Sequence, residues 1–63
     1  MNTLDTLEKI RLNCRINANE NGYSSDWVID NMVFLEIVEH IYATKGKQKK
    51  FWIQVMDQHK LTR

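Results

Sequence analysis

The chain contains no proline and only two glycines, Gly22 and Gly46. That punctuation constrains the fold more than any other feature. Proline and glycine are the strongest local breakers of regular structure. A chain of 63 residues divided at these two points reads as three helices, over about 3–21, 25–44 and 47–61, joined by short connections. Short connections place successive helices antiparallel. The expectation is therefore a single all-α, compact three-helix domain spanning 1–63.

The hydrophobic spacing supports this reading in each segment. In the first, Leu4, Leu7, Ile10, Cys14 and Ala18 share one face at the helical period. Thr3 is the expected N-cap, with Asp5 in the first turn, where the helix dipole favours negative charge. Gly22 suits the left-handed position just past the helix, with Tyr23 following to pack on Ala18. Leu12 and Ile16 stand four residues apart and well round the helix from the main stripe. Either they form a second, external contact edge, or the helix is wedged inside the core.

The second segment opens on Ser24 or Ser25 as cap, with Asp26 behind it. Trp27, Val28, Ile29, Met32, Val33, Phe34, Leu35, Ile37, Val38, Ile41 and Tyr42 surround it almost completely. The residues left for water are Glu36, Glu39, His40 and Ala43. A helix that is apolar all round is normally buried, yet two short neighbours offer too little surface to cover it. Self-association as a homodimer, with this helix at its centre, accounts for the remainder.

The third segment carries Phe51, Trp52, Val55, Met56 and His59 as an amphipathic stripe. The alternation of Phe51, Ile53 and Val55 also suits a strand, so α+β with a terminal strand is the alternative. The β-branched run from Met32 to Ile41 carries the same ambiguity.

A chain this short buries only about 60% of its unfolded surface and usually needs a staple or a partner. Cys14 is the only cysteine, which excludes an internal disulfide and fits a reducing compartment. Its expected role is that of a small buried apolar residue. No leader pattern opens the chain, and no apolar run reaches the ~18 residues that suggest a membrane span. The expected location is cytoplasmic, with no membrane partner.

Charge divides the chain in two. Residues 1–44 carry Lys9, Arg11 and Arg15 against seven acidic side chains, a net of −4. Residues 45–63 carry five lysines and Arg63 against Asp57 alone, a net of +5. Such asymmetry aims one end at an acidic surface. Lys45, Lys47, Lys49 and Lys50, followed by Trp52, are the candidate binding residues. Lysines attract phosphates without regard to sequence, and an adjacent aromatic can stack on a base. The same residues equally suit an acidic protein patch, or a solvated connection. The segment has no arginine, the better reader of phosphate and guanine, and no helix-turn-helix is evident.

Catalytic patterns are missing. The serines lie in no nucleophile elbow, and there is no glycine-rich phosphate loop and no Cys/His cluster. Glu36 and His40 stand four apart, but two ligands do not make a metal site; a local Glu–His contact is the plainer reading. Neither a catalytic residue, a metal nor a cofactor is expected.

The sequence thus predicts a small non-enzymatic intracellular regulator or inhibitor that occludes a surface on a larger protein. That partner surface is acidic or apolar, and Leu12 and Ile16 form the candidate interaction edge. Phage and mobile-element products that block host enzymes belong to this size class. The alternatives are a small nucleic-acid-binding module using segment 45–50, or a structural subunit of a larger assembly.

Overall fold

The computed structural model describes residues 2–62. Three helices follow one another: α1 (Thr3–Glu20), α2 (Asp26–Ala43) and α3 (Lys47–Thr62). No strand occurs among the described residues, which overturns the terminal-strand alternative. Val55 is buried while Ile53 is exposed and Phe51 only half-buried. The side that packs is the i, i+4 row Phe51–Val55, not the alternating one.

The helix ends are built as the local chemistry requires, with one correction. Thr3 is not the cap of α1 but its first residue. Asn2 takes the position in an extended conformation, and its Oδ1 accepts the Asp5 amide at 2.8 Å. Asparagine is at least as good a cap as threonine, and starting one residue earlier leaves Thr6 free to donate its hydroxyl to the Asn2 carbonyl at 3.1 Å. Ser25 caps α2 by backbone geometry alone, since its side chain makes no capping hydrogen bond.

At the far end of α1 the chain reverses through a Schellman motif. The Tyr23 amide donates to the Ala18 carbonyl at 2.8 Å, and the Gly22 amide donates to the Asn19 carbonyl at 3.1 Å. The motif requires a left-handed residue, and Gly22 supplies it with φ of 84°. The Tyr23 ring itself stays exposed. α2 ends at Thr44, whose hydroxyl donates to the His40 carbonyl at 2.7 Å.

All three helices touch one another around one core. α1 contributes Leu7, Ile10, Cys14 and Ala18, α2 contributes Ile29, Val33 and Ile37, and α3 contributes Val55 and Met56. Met32, Val38, Ile41, Phe51 and Trp52 pack at its margin. A polar tie closes α1 onto the end of α3. Arg11 donates to the Thr62 hydroxyl at 2.6 Å and lies 3.3 Å from Nδ1 of the buried His59. A guanidinium can only donate, so His59 Nδ1 accepts.

Candidate interaction surface

The side chains of α2 separate into two apolar stripes. At 3.6 residues per turn, Ile29, Val33 and Ile37 fall within about 80° of one another, and these three are the buried ones. Trp27, Phe34, Val38, Tyr42 and Leu35 fall within about 100° of one another, centred roughly 150° away from the first group. Trp27 is 69% exposed, Phe34 38%, Leu35 60% and Tyr42 84%, while Val38 is half-buried. Of this second stripe only Val38 packs against the core. Trp27 and Phe34 flank a notch of about 440 Å³ whose other lining residues are Asp30 and Asn31. Asp30 also borders, with Arg11, Arg15, Asp26, Ile29 and Thr62, a shallow groove of about 290 Å³ between α1, α2 and the end of α3.

The uncovered part of α2 is therefore wider than the strip Glu36, Glu39, His40 and Ala43. One member of that strip does not face water freely. The His40 ring lies flat on Trp52, with centroids 3.9 Å apart and an interplanar angle of 6°. Its Nε2 stands 3.3 Å from Glu36 Oε1, which is the local Glu–His contact the spacing predicts.

Lys45, Lys47, Lys49 and Lys50 are all exposed, around Gly46 and along the first turn of α3. Gly46 sits at φ of 65° and its carbonyl accepts the Lys50 amide at 3.2 Å, so the turn starts at the glycine. Trp52 lies one turn further along but does not join the lysines as an open platform. It is half-buried, one ring face is covered by His40, and Phe51 meets it edge-on at 5.6 Å.

Leu12 and Ile16 are 58% and 46% exposed, so neither is wedged into the core. Ile16 lines a groove of about 300 Å³ with Ile10, Asn13, Cys14, Asn17 and Glu36. Burial, and then the Glu36 carboxylate nearby, push the Cys14 thiol above its ordinary pKa. A thiol held protonated is a poor nucleophile, in keeping with a packing role. Among the described residues no group of three or more His, Cys, Asp or Glu side chains is placed to hold a metal ion. No described helix is long and apolar enough to cross a membrane.

Two relationships were not read from the sequence. The division of α2 into opposed stripes was legible from angular position at 100° per residue, although counting apolar residues obscures it. The Arg11–His59–Thr62 tie leaves no sequence signal, because its members lie 48 and 51 residues apart. No family model matches the chain, and neither a curated protein nor a solved structure does so.

Proposed function

We propose that this chain is a non-enzymatic protein-binding module, a small regulator or inhibitor that acts in the cytoplasm by occluding a surface on a larger protein. The observation that carries this reading is the outer side of α2, where Trp27, Phe34, Leu35 and Tyr42 stand exposed away from the core. Isolated apolar residues on a surface need no explanation, whereas a continuous row of them marks an interaction site. This face supports assembly of the chain as a homodimer. The exposed lysines of segment 45–50 and the Leu12–Ile16 edge then remain for the larger partner. Lysines steer association towards an acidic patch, and the leucine–isoleucine pair adds apolar contact. The engagement of Trp52 with His40 and Phe51 favours a protein over a single-stranded nucleic acid, which needs an open aromatic face to stack on.

The test is affinity capture from a lysate with and without nuclease, using the unmodified chain and one in which Lys47, Lys49 and Lys50 are changed to Gln. A nuclease-resistant protein that the lysine variant retains poorly, through slower association, supports the reading. Capture that nuclease abolishes, together with micromolar duplex binding at physiological salt, rejects it in favour of nucleic acid.

A further inference from the structure

We propose that Asn21–Gly22 is a site of spontaneous covalent modification, where the Gly22 nitrogen displaces ammonia from the Asn21 carboxamide, and that the turn between α1 and α2 holds this reaction back until it opens. The modification bears on the lifetime of the folded chain, whatever that chain binds.

The chemistry starts from the pair itself. Of the asparagines in the chain, only Asn21 is followed by glycine. A glycine nitrogen has no β-carbon beside it to crowd its approach. Once a base loosens its proton, this nitrogen attacks the Asn21 side-chain carbonyl carbon. A C–N bond forms, the bond to the amide nitrogen breaks, and that nitrogen takes up the proton and leaves as ammonia. The product is a five-membered succinimide ring joining the side chain to the main chain. Water then opens the ring at either carbonyl. One opening leaves aspartate at position 21, and the other leaves isoaspartate, whose main chain runs through the former side chain. Asn21 and Gly22 are both exposed, so water and hydroxide reach them.

The folded turn withholds each part of this step. At ψ of 9° for Asn21, the Gly22 nitrogen eclipses the nitrogen of Asn21 rather than its β-carbon. Ring closure needs the second arrangement, so the chain must swivel about the Asn21 Cα–C bond. Hydrogen bonds oppose that swivel. Asn21 Nδ2 donates to the Asn17 carbonyl at 2.8 Å, which ties down the group to be attacked. The Gly22 amide donates to the Asn19 carbonyl at 3.1 Å, which engages the proton that the nucleophile must lose. The Tyr23 amide donates to the Ala18 carbonyl at 2.8 Å and closes the turn over both.

The products do not fit the turn they replace. A carboxylate at position 21 has no proton to give the Asn17 carbonyl. It also adds negative charge beside Glu20 at the end of α1, where the helix dipole is already negative. Isoaspartate lengthens the main chain inside a motif whose two hydrogen bonds fix its spacing. The reaction therefore needs an open turn and leaves the turn harder to close.

The test holds the whole chain, folded and unfolded in guanidinium chloride, in the same mildly alkaline buffer. Peptide mapping by mass spectrometry follows the conversion of amide to acid. In the unfolded chain, conversion should appear at Asn21 ahead of every other asparagine. Gly22→Ala should slow it severalfold there, because the added methyl group crowds the attacking nitrogen. In the folded chain, conversion at Asn21 should be at least about tenfold slower, as for a group that reacts only through an uphill local opening. Asn21→Asp, the aspartate product made genetically, should melt about 5 °C below wild type. An Asn21→Asp chain that fails to fold makes the same point. Absence of conversion at Asn21, or another asparagine leading in the unfolded chain, overturns the site. An unfolded Gly22→Ala chain that converts at the wild-type rate overturns the nucleophile. A folded chain that converts as fast as the unfolded one overturns the restraint by the turn, and an Asn21→Asp chain as stable as wild type overturns the effect of the product.

Discussion

His40 of α2 and Trp52 of α3 lie face to face, ring centroids 3.9 Å apart and planes within 6° of parallel. The pair joins two helices that are neighbours in sequence, and Glu36 one turn back meets the edge of the imidazole, its Oε1 3.3 Å from Nε2. A polar residue assigned to water by its place in the pattern thus becomes part of the helix–helix contact. Histidine does this readily, because its ring offers an apolar face and a polar edge.

His40→Ala should cost about 1 kcal/mol, the value of an aromatic pair beyond its buried area. Trp52→Ala removes a larger half-buried ring and should cost about 3 kcal/mol, the low end for truncating a tryptophan. Since the rings touch, the double variant should lose less than the sum of the two. Urea denaturation of the four proteins measures the coupling, and strict additivity would show that the stack contributes nothing.

The two helix starts should respond differently to the same change. Asn2→Ala deletes the hydrogen bond to the Asp5 amide and should lower stability by about 1 kcal/mol. Ser25→Ala deletes no side-chain capping bond and should stay within about 0.5 kcal/mol of wild type. Thermal melts at matched protein concentration check both. An equal loss at the two sites contradicts the capping geometry described for α1 and α2.

Cys14 should resist alkylation at neutral pH and become reactive on unfolding, because burial and Glu36 hold its thiol protonated. Glu36→Gln removes one of these causes and should speed alkylation of the folded protein. The folded chain keeps this proton more tightly than the unfolded one. Below the unfolded value of about 8.5 both states are protonated and the thiol contributes nothing to the pH dependence. Above about 8.5 the unfolded state releases the proton first, so stability falls as pH rises towards the raised folded value. Cys14→Ala should flatten that alkaline slope, as followed by urea midpoints at several pH values.

Leu12→Glu and Ile16→Glu should each leave the protein folded, with stability changed by no more than about 0.5 kcal/mol, as is usual for exposed positions. Circular dichroism and melting temperature are sufficient. A loss of several kcal/mol at either position would place that side chain in the core. If the pair contacts the larger partner, these folded variants should bind it more weakly.

The number and limits of the helices were legible because the chain punctuates itself so sparsely. With breakers only at Gly22 and Gly46, nothing competes with the helical period between them. The core positions Leu7, Ile10, Cys14, Ala18, Val55 and Met56 follow directly from that spacing. The start of α1 lies one residue before the position the sequence favours, because asparagine and threonine are both competent caps and only the backbone distinguishes Asn2 from Thr3. In α2 the sequence signal saturates. When apolar residues surround a helix, composition no longer says which of them meet the core, and that choice is made by where α1 and α3 lie. The same holds for His40, whose stacking partner is brought from the next helix.

The tie from Arg11 to His59 and Thr62 has a consequence for synthesis. α1, synthesised before α3, is fastened by the last turns of α3. α1 and α2 carry seven of the nine buried core side chains, but until α3 arrives with Val55 and Met56 the core has no third side. Burial of these side chains is complete only once α3 has cleared the tunnel, and until then the nascent chain is at its most attractive to chaperones.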